Sequence, residues 1–302
     1  MVTGATRMKD FDGRLAAGEV RGRSLWADAR RRFFRNKAAV AGLVTLTVIT
    51  LLALFGDALA VWSNEEIDFS IMGQAAQVGQ PSLANGHYFG TDDLGRDLYS
   101  RTLQGTRISL MVGIVGSFIA VVVGTLYGAV AGYVGGRTDQ VMMRIVDILL
   151  AIPFMFVIIL LLVMFGRSIF MLFLGIGLLS WLNMARIVRG QTLSLKHKEY
   201  VEAAQATGVP TFTIILRHIV PNLLGIVAVY ATLLVPEMIL TESFISFLGL
   251  GVQEPLTSEG AKTIYYGTIW QLLWPLTFFV LTLFSFFFVG DGLRDALDPK
   301  DR

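Results

Sequence analysis

The chain of 302 residues has no cysteine, which excludes a disulfide framework, a thiolate metal site and a cysteine nucleophile. Histidine is nearly as scarce: His87, His197 and His218 are scattered and form no metal-ligand cluster. No G-x-x-x-x-G-K-[ST] phosphate loop occurs, which argues against a nucleotide-hydrolysing core. Charge is thin as well. Asp, Glu, Lys and Arg make up 16% of the chain, against about 25% in ordinary globular proteins. Apolar residues reach 54%, with 21 Phe and 31 Gly. That balance cannot clothe a water-facing sphere, and it predicts an all-α polytopic membrane protein.

A helix crossing the hydrocarbon layer needs about 20 mostly apolar residues. Six stretches qualify, near 38–61, 109–132, 145–165, 169–184, 222–240 and 266–289. Glycines punctuate the second, Asp147 and Pro153 the third, Pro236 and Glu237 the fifth. Lys and Arg are lopsided: the two tails and the 132–144 and 185–219 connections carry twenty, the alternate loops five. The positive-inside rule therefore predicts six transmembrane helices with both termini cytoplasmic. The first span is too long, and its 37-residue leading tail too extended, for a secretory signal, so it reads as a retained anchor. The cluster Arg30, Arg31, Arg32, Arg35 and Lys37 reads as a juxtamembrane orientation signal touching anionic membrane lipid, not as a nucleic-acid patch.

Five regions follow: a basic cytoplasmic tail (1–37), an anchor helix (38–61), a periplasmic loop with an interfacial helix (62–108), a five-helix core (109–290) containing a cytoplasmic loop (186–219), and a cytoplasmic tail (291–302). In the periplasmic loop, residues 98–103 read as a short amphipathic helix, with Thr91 a candidate cap. Residues 244–251 read as tucked against the bundle. Gly116, Ala120, Gly124, Gly128 and Gly132 lay a small-residue groove along the second span, suited to close packing within the chain or to a seam with a second subunit.

The loop from Arg189 to Asn222 reads as helix, turn, helix: Gly208 supplies a left-handed residue, Pro210 pre-sets the next helix, and Pro221 marks the entry to the fifth span. Ala203 and Ala204 strip the tip of bulk, and Glu202 offers one charge beside them. Glu202-Ala-Ala, Gly208, His218 and Pro221-Asn222 resemble the "EAA" loop of permease subunits from binding-protein-dependent ABC importers. Phe89-Gly-Thr-Asp…Gly-Arg-Asp97, Gly132-Tyr-Val-Gly-Gly136, the Ser243 to Gly251 run and the Gly290 to Pro299 run are similar to the dipeptide/oligopeptide/nickel permease family, and together with the Ser24 to Phe33 and Trp181 to Lys196 stretches they look most like its oligopeptide branch. One departure stands out. That family carries a Trp-Gly pair soon after the proline that follows Gly-Leu-Gly, whereas Pro255 here leads to Glu259-Gly260 with no tryptophan before Trp270.

The resemblance implies the ABC type I importer permease fold in the bacterial inner membrane. It implies a heterodimer with a homologous permease subunit, two ATPase subunits beneath that bind ATP and Mg, and a periplasmic or lipid-anchored binding protein that delivers peptide. The chain itself would be no enzyme and hold no cofactor. Tyr200, Glu202, Ala203, Ala204, Thr207, Gly208, Val209 and Pro210 would dock on an ATPase, while Arg217, His218, Pro221 and Asn222 anchor the loop. Substrates of similar permeases include oligopeptides, dipeptides, nickel chelates and peptide antibiotics.

Ionisable groups inside spans are costly and invite functional roles. Glu237 and Asp147 are the translocation-path candidates, although Asp147 also stands three residues from Arg144 and could pair locally. Asp57 lies near the outer end of its span. A proton-coupled secondary carrier would need clustered midplane carboxylates or an inverted repeat. A membrane-embedded protease or transferase would need a catalytic constellation within the spans. Neither pattern is present in the sequence.

Overall fold

The computed structural model describes residues 25–250 and 268–297. The expectations for the tail before residue 25, the 251–267 loop with its missing tryptophan, and the last five residues lie outside the described residues. Described residues are helical, with no strand among them beyond isolated antiparallel bridges from Ile67 to Arg96 and from Thr91 to Asp97.

A short amphipathic helix α1 (Leu25–Arg35) stops at Asn36, whose side chain accepts from the Ala38 and Ala39 amides and so starts α2 (Lys37–Phe55). A single 3-10 turn follows at Gly56–Leu59, and a cap segment containing α3 (Ala75–Val78) leads to α4 (Leu98–Val134). Next come α5 (Gly136–Ala151), α6 (Phe154–Phe165), α7 (Ile169–Leu195), α8 (Glu199–Ala206) and α9 (Thr211–Ile214). A π turn at Ile215–Ile219 feeds α10 (Val220–Phe247), and α11 (Trp270–Leu297) closes the fold. Five helices are long and apolar enough to cross a membrane, and six spans result if α5 and α6, bent by 77° at the Ile152-Pro153 break, count as one. A proline disfavours helix at the residue before it, which locates the break.

Several boundaries differ from the sequence-based expectation. The 98–103 segment is not a separate interfacial helix; it forms the first turns of α4. Asp97 caps it by accepting from the Ser100 amide at 2.8 Å, whereas Thr91 is buried in the cap. The fourth span runs on to Leu195, so the first ten residues of the expected loop are helix. The fifth continues through Pro236 to Phe247.

The centre of the bundle is the seam between α4 and α7. The small-residue face of α4 packs inside the chain: a Cβ on Gly128 would lie 2.4 Å from the Ala185 carbonyl, and Gly124 and Gly132 press on Met184 and Thr192 in the same way. Gly116 meets Met238 of α10. Ala29 and Phe33 of α1, Ala39 of α2, and Val289 and Ala296 of α11 make a second cluster.

At one end of the bundle sits the cap, residues 56–97. His87 is fully buried, stacks on Trp62 and faces Asp97 across 2.9 Å. The Phe89-to-Asp97 motif is structural. Phe89 stacks on Trp274 with centroids 4.2 Å apart, and the Gln271 amide donates to the Thr91 carbonyl at 2.9 Å. The cap thereby ties α4 to α11. At the opposite end, called the turn end below, lie α8, α9 and the π turn.

Candidate functional site

Residues 198–222 form a compact elbow at the turn end. The Lys198 carbonyl accepts from Val201 and Glu202, starting α8, and Glu199 and Glu202 stand in its first turn, where the helix dipole favours acids. Its C-terminus is a Schellman turn. The Gly208 amide donates to the Gln205 carbonyl at 3.0 Å and the Val209 amide to the Ala204 carbonyl at 3.1 Å, with Gly208 at φ 76°. The Thr207 hydroxyl meets the Ala203 and Ala204 carbonyls.

α8 has two unlike faces. Val201 and Ala204 turn inward, joining Ile214, Ile215 and Ile219 against Ala129 and Tyr133 of α4, Met184 and Val188 of α7, and Leu223 and Val227 of α10. The Gln205 amide donates to the Tyr133 hydroxyl at 2.8 Å. Outward stand Tyr200, Glu202, Ala203, Thr207, Gly208 and Pro210, joined by Phe212, which is 67% exposed. Tyr200 is held above the ordinary tyrosine value by desolvation. The alanine pair is thus divided: Ala203 is a surface residue and Ala204 is a core residue of the elbow. Val209 is half-buried over the turn.

The π turn carries Arg217, exposed, and His218, half-buried. A proline ring in a regular helix collides with the carbonyl four residues earlier, and the wider turn ahead of Pro221 relieves that collision. The Asn222 side chain donates to the His218 carbonyl at 2.7 Å, so the loosened backbone keeps a partner.

The remaining sequence candidates are separate from this elbow. Asp147 does not pair with Arg144; its carboxylate takes the Arg186 guanidinium of α7. Within α5 the 144–147 contact competes with an arginine delivered from a neighbouring helix, which sequence spacing cannot reveal. Glu237 is exposed on α10. Asp57 accepts from Arg107 at 2.7 Å.

Three groups escaped the sequence reading. Asp139 and Arg189 form a two-pronged pair at 2.5 and 2.6 Å joining α5 to α7. Glu242 is buried and accepts from Ser109 at 3.0 Å and Ser246 at 2.7 Å. Gln205 is the third, locking the elbow to α4. Their signals were faint: Tyr133 sat within the Gly132–Gly136 motif, and Glu242 directly precedes the Ser243 motif.

With this geometry in hand, residues 124–302 match the family described as "Binding-protein-dependent transport system inner membrane component". Residues 24–76 match the "N-terminal TM domain of oligopeptide transport permease C". The chain is 55% identical over 294 residues to the oligopeptide transport system permease protein OppC of Haemophilus influenzae, covering 96% of this chain and 93% of that protein. It is 57% identical over 301 residues to the Escherichia coli K12 protein of that name, covering 98% and 97%. Similarity extends to the dipeptide transport system permease protein DppC of Bacillus subtilis, 43% identical over 281 residues, covering 91% and 86%.

Proposed function

The chain belongs to the family of binding-protein-dependent transport system inner membrane components, and from that premise we propose that it forms one half of the channel of an ATP-driven importer of peptides, oligopeptides foremost. It is a multi-pass inner-membrane protein. A homologous permease subunit completes the channel, two separate ATPase subunits bind ATP and Mg beneath it, and a periplasmic or lipid-anchored binding protein supplies the substrate. Both termini and the elbow face the cytoplasm, in keeping with the Lys and Arg distribution.

The observation that carries this reading is the two-faced elbow. One side is locked into three spans, and the other presents Tyr200, Glu202, Ala203, Thr207 and Pro210, with Gly208 and Val209 setting the turn and Ala204 seating it. In this reading the outward face docks in a groove of an ATPase. Arg217, His218, Pro221 and Asn222 hold the elbow to α10. When the ATPases close, displacement of α8 is passed to α4, α7 and α10 as one packed body, the kind of rigid-body switch that bistable interfaces permit. No residue of this chain performs covalent chemistry in the scheme.

The test is co-purification of the tagged chain from a membrane containing its sister subunits, comparing wild type with Ala203→Arg and Glu202→Arg. Both positions are exposed, so the fold tolerates the changes. The expected result is recovery of a second permease and two ATPases with wild type, and loss of the ATPases alone with the variants. Equal ATPase recovery from all three would sink the docking assignment.

A further inference from the structure

The basic cluster of α1 does more than orient the first span. From Leu25 to Lys37 the chain holds five cations, Arg30, Arg31, Arg32, Arg35 and Lys37, against one carboxylate, Asp28. Arg30, Arg31, Arg35 and Lys37 are exposed, and none pairs with a carboxylate among the described residues. Neither Asp28 nor Asp291 and Asp295, exposed on the adjoining α11, answers them. Arg31 and Arg35 also stand four residues apart on one helix, where like charges repel. The fold gathers positive charge here and leaves the counter-charge to something outside the chain.

The depth of this cluster is set by the chain itself. Residues 38–55 carry no charge, and Asp57 follows closely. As helix that stretch is about 27 Å long, against a hydrocarbon layer of about 30 Å. Lys37 therefore stands at one boundary of the layer and Asp57 at the other, with little slack for the span to slide. α1 is joined to Lys37 by Asn36 alone, whose extended backbone turns the chain off the α2 axis. Nor does α1 hang in water below the span. A Cβ on Gly292 of α11 would strike Ala39 and lie 3.2 Å from the Phe33 ring, so Phe33 sits level with the first turn of α2. Ala29 and Phe33 are buried there with Val289 and Ala296.

At about 100° per residue, Arg31 and Arg35 fall on the side of α1 opposite Ala29 and Phe33. Phe34, 58% exposed, stands on the flank between the two sides. A helix held at the boundary, with arginines on one side and an open aromatic beside them, has the form that lies in a membrane interface. The ring meets acyl chains while the long basic side chains reach the headgroups. The elbow assigned to an ATPase is seated on α4, α7 and α10, whereas α1 is seated on α2 and α11.

We propose that α1 and Lys37 form a binding surface for anionic phospholipid in the leaflet at the turn end. Arg30, Arg31, Arg35 and Lys37 take the headgroup phosphates, for which the guanidinium fork is suited, and Phe34 takes the acyl chains beside them. Lipid charge then clamps α1 onto the ends of α2 and α11. The inference stands whatever substrate the chain transports, because its readout is lipid contact.

The chain has no native cysteine, so Phe34→Cys accepts a single bimane fluorophore. The labelled chain, with the subunits that co-purify, is placed in phosphatidylcholine nanodiscs. These contain the same minor fraction of either phosphatidylglycerol or phosphatidylcholine brominated on the acyl chains near the headgroup. Brominated phosphatidylglycerol is expected to quench severalfold more strongly than brominated phosphatidylcholine. The two should converge when Arg30→Gln, Arg31→Gln and Arg35→Gln are combined, and stay apart with Lys at those positions. Quenching by neither lipid would overturn the proposal, because protein then covers this face. Equal quenching by both would overturn it as lipid contact without headgroup recognition. A preference that survives the glutamine changes would refute the assignment to α1. Should that variant fail to assemble, ionic strength decides in the Phe34→Cys protein. Screening should shrink the preference as salt rises, and a preference indifferent to salt refutes the charge contact.

Discussion

Gly128→Ala should destabilise the protein through geometry alone. The added methyl would sit 2.4 Å from the Ala185 carbonyl oxygen, 2.9 Å from the Arg189 amide nitrogen and 2.9 Å from the Val188 Cβ. Backbone atoms and a Cβ cannot step aside by changing rotamer, so α4 and α7 must part by about 1 Å to reach ordinary contact. Both helices are stiff, so the gap spreads to Gly124 and Gly132, which press on the same partner. A separation of that size forfeits about a quarter to a half of each dispersion contact, and overpacking of this kind costs about 1–3 kcal/mol. Better helix propensity returns up to about 1 kcal/mol. The net expectation is a loss of about 1–2 kcal/mol, or a fall of roughly 2–3 °C in melting temperature. Gly190→Ala is the matched control, because a Cβ there meets nothing within 4 Å. It should leave melting unchanged or raise it. Thermal unfolding in detergent, followed by intrinsic tryptophan fluorescence, reads both variants. If Gly128→Ala melts with or above Gly190→Ala, the close α4–α7 seam is wrong.

Three further outcomes are expected. Gly208→Ala meets no atom but is forced to φ 76°, so it should loosen the elbow by about 1–2 kcal/mol, seen as faster tryptic cleavage at Lys198 and Arg217, with Gly208→Asn milder; equal cleavage of all three proteins would refute the strain. Asp139→Asn should cost about 1–2 kcal/mol by stripping Arg189 of its carboxylate, toward the lower figure because water already reaches the guanidinium; a double-mutant cycle with Arg189→Gln that proves additive would show the pair does not couple. The Asp68 carboxyl is held below the ordinary value chiefly by the Ser70 hydroxyl, against burial, with the Ser70 amide and His87 adding to the effect. A depressed carboxyl stabilises the cap above its unfolded value of about 3.9 and loses that contribution as pH falls through its lower folded value. Hydrogen exchange of residues 56–97 should therefore show no Asp68-dependent loss between pH 7 and 5, and a loss below about pH 4 that Asp68→Asn abolishes; an identical acid profile in that variant would contradict the assignment.

Much of the fold was legible because lipid imposes simple rules on a chain. Apolar length marks spans, and the lipid-depth cost of charge makes the few exceptions conspicuous. Turn chemistry was legible for a related reason: Gly208 and Pro210 act on their own backbone, so the elbow at 207–210 stands where local preference places it. The boundaries that shifted did so where tertiary contacts override local pattern. Residues 98–103 look like a free amphipathic helix until Tyr99 and Ser100 are seen bonding to the Gly56 and Trp62 carbonyls of the cap. The 186–195 stretch looks like a polar loop until Val188 and Thr192 are found fully buried against α4.

The sequence by itself determined that this chain is helical, membrane-spanning, without cysteine chemistry, and built around one helix-turn-helix elbow. Those properties follow from composition and from interactions between residues close along the chain. Only the tertiary structure decided which side of the elbow is core, so that Ala204 is seated and Ala203 presented. It alone showed that Asp147 answers to Arg186 rather than Arg144, and that Asp139, Glu242 and Gln205 have partners 50, 133 and 72 residues away. A side chain's partner depends on which helices pack together and at what rotation. That is settled by the close fit of whole faces, such as the glycine face of α4 on α7, and no local signal in the chain records it.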